Sequence, residues 1–261
     1  MIKALFTAAT GMEAQQTRIA VISNNLSNMN TTGFKASRAE FEDLIYETRS
    51  LPGGQSASGL STPGGIQIGS GVAVVSTPSQ FSQGTLEQTG GALDVAIEGD
   101  GFFGVTLPNG TTGYTRAGSL AIDSTGKLVT QSGLPISPAI TLNTAAVDRK
   151  IGADGTITSR IPPASTTTSE GTLTLYSFAN PGGLQAVGKN TFQETTASGT
   201  PTSGTPGTSS LGTLQQGFLE SSNVNIAEEL IRMIMAQRGY ELNGKVISTA
   251  DQMLNSTNQL R

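Results

Sequence analysis

Near the start of the chain, apolar residues fall on a rhythm of threes and fours: Leu5, Ala8, Met12, Ile19, Ile22, Leu26 and Met29, with Gln15 filling one rung. That spacing lines one stripe of an α-helix and matches a coiled-coil seam. It predicts a helix from about residue 2 to residue 28, roughly 40 Å long. The helix stops where Asn28-Met29-Asn30-Thr31-Thr32-Gly33 supplies turn formers and a glycine for a left-handed cap. At the far end Ile226, Met233, Tyr240, Ile247 and Leu254 recur at every seventh position, with Leu230, Ile234, Leu242, Val246 and Met253 widening the stripe. A second long helix is predicted there. Asn225 and Glu228 are spaced as in a capping box, and Glu229 suits the positive end of the helix dipole. Gly239 and Gly244 lie inside it, each costing about 1 kcal/mol relative to Ala, so propensity alone does not hold it together.

Between the helices the period changes to two. Val72-Ala73-Val74-Val75, Asp94-Val95-Ala96-Ile97, Gly104-Val105-Thr106-Leu107 and Thr172-Leu173-Thr174-Leu175-Tyr176 read as strands. Pro108-Asn109-Gly110, Asp123-Ser124-Thr125-Gly126 and Asp154-Gly155 carry the residues of hairpin turns. Residues 46–65 and 195–212, rich in Gly, Ser, Thr and Pro, read as connections rather than core. The predicted fold class is therefore mixed α and β: long terminal helices that pair in a coiled-coil-like layer, with an all-β central domain. The expected divisions are an N-terminal helix (1–34), an extended connection (35–90), the β-domain (91–193), a Gly/Ser/Thr-rich and β return connection (194–222) and a C-terminal helix (223–261). Two apolar-seamed helices flanking a β-domain point to packing on each other and on other chains.

Composition narrows the chemistry. Of 261 residues only 13% are charged, the net charge is −4, and Cys, His and Trp are absent. An acidic, sparsely charged surface does not suit a phosphate backbone, so no nucleic-acid partner is expected. Without Cys or His there is no thiolate nucleophile, no disulfide, no imidazole base and no ordinary zinc site. No cofactor and no metal are expected. The opening Met1-Ile2-Lys3-Ala4-Leu5-Phe6 meets Glu13, Gln15, Gln16 and Arg18 too early for an ordinary cleavable signal, and no stretch reaches the roughly 18 apolar residues of a membrane span.

Three candidate sites carry blander readings. Gly99-Asp100-Gly101-Phe102-Phe103-Gly104 matches the dinucleotide fingerprint letter for letter, but that fingerprint must open a helix, and here Val105-Thr106-Leu107 continues as strand. Asp94, Glu98 and Asp100 share strand parity and resemble a carboxylate pair with one to spare, which a solvated face explains equally. Asp123-Ser124-Thr125-Gly126 lacks the alternating oxygen ligands of a calcium loop and reads as a turn.

Ser23-Asn24-Asn25-Leu26-Ser27-Asn28-Met29-Asn30-Thr31-Thr32-Gly33-Phe34-Lys35 closely resembles the N-terminal signature of the bacterial flagellar rod and hook axial proteins. Glu220-Ser221-Ser222-Asn223-Val224-Asn225, Gln237-Arg238-Gly239-Tyr240-Glu241 and Asp251-Gln252-Met253-Leu254 resemble that family's other terminus. Ile97-Glu98-Gly99-Asp100-Gly101-Phe102-Phe103 and Tyr114-Thr115-Arg116-Ala117-Gly118 look like its central β-domain, so the likeness spans essentially the whole chain. Length, segment 46–63 and the following Gly65-Ile66-Gln67-Ile68-Gly69-Ser70-Gly71-Val72 look most like the distal-rod branch, with the proximal rod as runner-up. Ser23, Ser27, Gly239 and Gly244 depart from residues the family more often carries.

The resemblance implies structural work and no catalysis. Copies would assemble into a rigid hollow shaft that crosses the periplasm, turns inside a ring bushing and carries torque to the hook. Terminal helices would line its channel and the β-domain would form its shell. Implied partners are further copies of the chain, the proximal rod proteins, the hook protein, the bushing and the flagellar type III export apparatus, with no membrane insertion. The implied assembly residues are Leu5, Met12, Ile19, Ile22, Leu26 and Met29 at one end and Ile226, Met233, Tyr240, Ile247 and Leu254 at the other. Asn24, Asn25, Leu26, Asn28, Thr32, Gly33 and Phe34 form the family motif, and Tyr46, Pro52 and Pro63 mark a segment expected to stiffen the shaft. A secreted β-rich adhesin or carbohydrate-binding module is the reading from a different class, suggested by the Ser, Thr and Gly content; an enzyme is the third.

Overall fold

The computed structural model describes residues 2–51, 64–161, 167–208 and 211–259. The chain divides into two compact units, each assembled from separated stretches: 1–26, 37–78 and 226–261 in one, 27–36 and 79–225 in the other.

The first unit holds almost all of α1 (Ile2–Ser27), the whole of α2 (Ile226–Gln259), and four strands: β1 (Glu40–Asp43), β2 (Tyr46–Ser50), β3 (Ile66–Gly69) and β4 (Val72–Ser76). β1 pairs antiparallel with β4, and β2 with β3. α1 lies against the turn before β4, where Gly71 has a φ of +125° and its missing Cβ leaves room for the Thr10 hydroxyl. Lys3 on α1 forms an ion pair with Glu47 on β2. The two helices run antiparallel: Gly11 faces Asn243, Gln15 faces Gly239 and Asn25 faces Glu229, so each step along α1 is matched by an equal step back along α2. Their buried side chains are mostly small or polar. Ala8, Ala14 and Asn25 are buried on α1 and Glu229, Ala236 and Ala250 on α2, with Ile22 the large apolar exception. Among the described residues no helix is long and apolar enough to cross a membrane.

The second unit is β-rich. It contains β5 (Leu86–Gln88), β6 (Val95–Glu98), β7 (Phe102–Thr106), β8 (Thr112–Thr115), β9 (Leu120–Ile122), β10 (Leu128–Thr130), β11 (Ile136–Ser137) and β12 (Asp148–Ile151). There follow β13 (Thr156–Arg160), β14 (Thr167–Thr172), β15 (Leu175–Ser177), β16 (Gln185–Gly188), β17 (Thr191–Gln193), β18 (Thr202–Gly204), β19 (Thr213–Gln216) and β20 (Phe218–Glu220). The largest sheet runs β16-β17-β8-β7-β15-β18, with β11 also on β7; β12-β13-β14 form a second, and β9-β10, β6-β19 and β5-β20 are antiparallel pairs. One core gathers aliphatic side chains such as Val95, Ile97, Val105, Ile136, Ile157 and Leu173 around Phe103. The other is aromatic: Phe102, Tyr114, Phe178 and Phe192 meet edge to face with Phe81 and Tyr176, at centroid separations of 4.8 to 6.4 Å. Each of these six aromatics gains both burial and edge-to-face quadrupole contacts.

The three predicted turns close hairpins by one device. Asn109, Asp123 and Asp154 each offer a side-chain oxygen to both the N–H and the hydroxyl of the Thr two residues on, namely Thr111, Thr125 and Thr156, with every hydroxyl at 2.7 Å. Gly110, Gly126 and Gly155 follow at φ +82°, +82° and +83°, the left-handed conformation in which a Cβ is unfavourable.

Two stretches differ from the reading by pattern. Thr172 to Tyr176 is not one strand: β14 ends at Thr172, Leu173 turns its N–H to Gly155 O at 2.8 Å, and β15 begins at Leu175 in the other sheet. Alternation survives such a change of sheet, so periodicity cannot see it. The Thr/Ser/Gly/Pro stretch after Gln193, read from composition as a connection, supplies β18 to the edge of the large sheet and buries Ser198 completely. Ser198 donates to Thr195 O at 2.9 Å and accepts from Thr195 N–H at 2.9 Å, so a polar segment is held by its own hydrogen bonds rather than by apolar burial.

Candidate functional site

Three distant pieces of sequence converge in the second unit on one carboxylate. After α1, a turn in which Phe34 N–H donates to Thr31 O at 3.2 Å presents Lys35. Gly33 makes the turn possible: its φ is +68°, its N–H donates to Glu220 O at 2.7 Å, and a Cβ there would stand 2.7 Å from Ala117 N. Arg116 follows the end of β8, where the buried Thr115 hydroxyl donates to Asn190 O at 2.7 Å. Glu220 is the last residue of β20. Lys35 Nζ lies 2.6 Å from Glu220 Oε1 and Arg116 Nε 2.9 Å from Oε2, with Gly84 N–H donating to Oε1 at 2.8 Å.

All three side chains are buried. Two cations against one anion leave a positive excess, and backbone carbonyls meet it: Lys35 donates to Ser82 O at 2.8 Å, and Arg116 to Gly101 O at 2.8 Å and Gly99 O at 2.9 Å. Burial by itself would push the Glu220 pKa up; the charge of Arg116, the hydrogen bond and charge of Lys35, and the Gly84 N–H together hold it below the ordinary carboxylate value. Lys35 is lowered by burial, with Glu220 opposing the shift. Every formal charge drawn in the cluster has a hydrogen-bonded partner.

This arrangement explains the glycine run that imitates a dinucleotide fingerprint. A phosphate loop turns N–H groups toward its ligand; here the carbonyls of Gly99 and Gly101 face a guanidinium, and β7 follows instead of a helix. Positive φ values of +104° and +142° at the two glycines aim those carbonyls. Nor do the acidic residues nearby form one constellation. Asp94 accepts the Thr89 hydroxyl at 2.6 Å, while Glu98 and Asp100 are exposed. Among the described residues no group of three His, Cys, Asp or Glu is placed to hold a metal ion.

Two asparagines clamp backbone, Asn223 in the second unit and Asn25 in the first. Asn223 Oδ1 accepts from Ala36 N–H at 2.8 Å while its Nδ2 donates to Gln80 O at 2.8 Å. Asn25, in the first unit, accepts from Ser37 N–H at 2.9 Å and donates to Ser37 O at 2.8 Å, and its Nδ2 also reaches Glu229 Oε2 at 3.4 Å. Glu229, read from sequence as a partner of the helix dipole, is thus also a buried polar link between the helices. Elsewhere in the family motif, Asn28 accepts from Thr31, Thr32 O accepts from Asn190 Nδ2 at 2.8 Å, Phe34 is half-buried and Asn24 is exposed on α1.

The proposed seam residues are distributed as follows. Ile22 is buried; Leu5, Met12, Ile19, Leu26 and Met29 are half-buried; so are Met233, Ile247 and Leu254, whereas Ile226 and Tyr240 are exposed. Tyr46 is exposed on β2 beside Gly69, and Pro52 and Pro63 lie outside the described residues. On α2, Leu230, Ile231, Ile234, Met235, Leu242 and Met253 are all exposed. Lys35, Arg116 and Glu220 were visible in sequence only as letters within longer motifs. No spacing rule links residues so far apart.

Comparison with known proteins defines a class first. Three stretches match family models: residues 5–35 match the flagella basal body rod protein, residues 96–159 the flagellar hook protein FlgE/F/G D1 domain, and residues 215–260 the flagellar basal body rod FlgEFG protein C-terminal. These are axial proteins of the flagellar rod and hook. Over its full length the chain is similar to the flagellar basal-body rod protein FlgG of Buchnera aphidicola subsp. Baizongia pistaciae, at 49% identity over 97% of this chain and 98% of the relative. With FlgG of Caulobacter vibrioides it shares 46% identity over the whole of both chains. The flagellar hook protein FlgE of Helicobacter mustelae is 42% identical over 51% of this chain and 30% of its own. The chain belongs to the FlgG family of flagellar basal-body rod proteins, a structural family and not an enzymatic one.

Proposed function

We propose that this chain is the repeating subunit of the distal rod, polymerising into a rigid hollow helical shaft that transmits motor torque to the hook and encloses the export channel. The observation that carries the reading is the apolar surface of α2, where Ile231, Ile234, Met235 and Leu242 are each more than half exposed. A row of large apolar side chains along a helix is a contact surface awaiting a neighbour. One surface meeting a different surface on the next copy, with a rotation that does not close, builds an open helical filament. In that filament the terminal helices pair as a coiled-coil-like layer lining the channel. The seam positions Leu5, Met12, Ile19, Ile22, Leu26 and Met29, with Ile226, Met233, Tyr240, Ile247 and Leu254, supply the contacts.

The further partners under this reading are the proximal rod proteins, the hook protein, the ring bushing and the flagellar type III export apparatus, and its place is the basal body from periplasm to outer membrane. Segment 46–63, with Tyr46, Pro52 and Pro63, is proposed to reach adjacent subunits and stiffen the lattice; its deletion should leave polymerisation intact but yield filaments that bend. The main test is electron microscopy of purified protein at rising concentration. Wild type should form straight tubes, and Ile247→Asp and Leu26→Asp should not, with unchanged melting of the β-rich unit, because a charge placed in a seam must be desolvated. Wild type that stays monomeric throughout, with the export partners absent or present, rejects the reading.

A further inference from the structure

In the first unit a cavity of about 420 Å³ opens between α1, the strand region and α2, lined among others by Arg18, Ile22, Arg38, Glu40, Glu229 and Arg232. Its charges are unevenly matched. Arg38 Nε pairs with Glu40 at 3.1 Å, and Arg232 pairs with Glu229 at 3.0 Å, which also takes Asn25. Among the described residues Arg18 has no hydrogen-bond or ion-pair partner, and the two acids that line the cavity are already engaged. A half-buried guanidinium left without an acceptor in a polar cavity is the socket for a carboxylate from elsewhere.

We infer that this cavity receives Glu13 of a second copy of the chain, an inference that rests on the self-assembly proposed above. The chain is acidic, at net charge −4, so another copy is a ready source of carboxylates. Glu13 is exposed on α1, and among the described residues no group pairs with its carboxylate. In a polymer built from one repeated contact, α1 runs in the same sense in every copy. Glu13 and Arg18 are five residues apart, roughly 7.5 Å along the helix and roughly 140° around it. A neighbour offset by that small shift brings its Glu13 level with the Arg18 cavity, while the first copy's own Glu13 points toward the opposite neighbour. The contact is therefore head-to-tail and can repeat around a tube without closing on a pair. Glu42 and Asp251 are the other exposed, unpaired acids described in this unit. Asp251 is nineteen positions along α2 from Arg232 and would need an offset of roughly 28 Å.

The test is a charge swap read as the critical concentration for polymerisation, with circular dichroism and melting of the β-rich unit as folding controls. Arg18→Glu and Glu13→Arg should each raise the critical concentration about tenfold or more, and the double variant should return to within about threefold of wild type. Arg18→Gln, which removes the charge without reversing it, should show a smaller rise. Wild type that polymerises while Arg18→Glu does so at the same concentration overturns the contact and leaves the filament reading standing. Failure of the double swap to recover, or recovery with Glu42→Arg or Asp251→Arg instead, also overturns it. Saturation of Arg18 by inorganic phosphate with no effect on assembly marks a small-anion site and does the same. Wild type that never polymerises removes both proposals together.

Discussion

Lys35 Nζ and Glu220 Oε1 stand 2.6 Å apart across 185 positions of sequence, with neither side chain reaching solvent. Arg116 holds the other carboxylate oxygen at 2.9 Å, so one acid ties the turn after α1 and the end of β8 to the end of β20. Buried ion pairs gain Coulomb energy and lose hydration in similar amounts, which makes them weak sources of stability; removing one partner, however, strands the others. The cluster is best understood as a device that fixes where three chain segments meet.

Breaking the cluster at its centre should therefore cost far more than breaking it at an edge. Glu220→Gln leaves two cations buried without an anion and is expected to destabilise the β-rich unit by about 3–5 kcal/mol. Lys35→Met leaves Arg116 and Gly84 still holding the carboxylate and should cost clearly less. Chemical denaturation of the two variants decides between this and a merely peripheral pair, for which the losses would be equal.

Stability should fall at both ends of the pH scale, for different groups. Glu220 is held below its ordinary value of 4.5, so its contribution is complete above that pH and is lost as pH falls through the lower folded value. Asp123 and Asp154, held low first by the hydroxyls of Thr125 and Thr156, add to the same acid limb below 3.8. Tyr114 is pushed up from 10 to about 12, first by burial and then by the nearby Glu194. The protonated phenol is favoured in the folded state, so stability present below pH 10 should drain away between 10 and about 12. Thermal melting against pH checks both limbs; Tyr114→Phe should flatten the alkaline one and leave the acid one in place.

Gly33 and Gly110 separate two meanings of a positive φ. Both lie in the left-handed region, at +68° and +82°, but Gly110 has open space around it while a Cβ on Gly33 would stand 2.7 Å from Ala117 N. Gly110→Ala should cost about 1 kcal/mol, the conformational strain alone. Gly33→Ala must also move backbone away from Arg116, and should lower the melting temperature of the β-rich unit several times as much. Equal shifts would mean that the turn after α1 yields freely.

These examples also show what sequence could and could not disclose. The helices were legible because their apolar spacing is local, and the hairpin turns because Asn109, Asp123, Asp154 and their glycines act within four residues. The antiparallel match of Gly11 with Asn243 and Gln15 with Gly239 was not, since the contact uses small and polar side chains that a hydrophobic pattern passes over. Lys35, Arg116 and Glu220 were beyond reach for a related reason: burial of a charge depends on partners that only the fold supplies. The change of sheet at Leu173 was hidden because alternation is the same on either side of it.

Gly239 and Gly244 cost α2 helical propensity, and their surroundings predict different responses to repair. Nothing lies within 4 Å of a Cβ on Gly244, so Gly244→Ala should recover close to the full difference between glycine and alanine, about 0.8–1 kcal/mol. At Gly239 a Cβ would meet Gln15 Cδ at 3.3 Å, and Gln15 Oε1 is buried there without a hydrogen bond. Gln15 ends in a flexible side chain that can shift by a few tenths of an ångström, so Gly239→Ala should still stabilise, but by less. A bulky residue has no such escape: Gly239→Leu should force α1 and α2 apart and lower helicity measured by circular dichroism. Carrying the pair into polymerisation gives the Gly244 result a second use. If Gly244→Ala raises the stability of the isolated chain yet raises the critical concentration as well, the open space beside Gly244 belongs to a neighbouring copy; if it improves both, that face of α2 stays free in the filament and the glycine is simply a loss of helix stiffness.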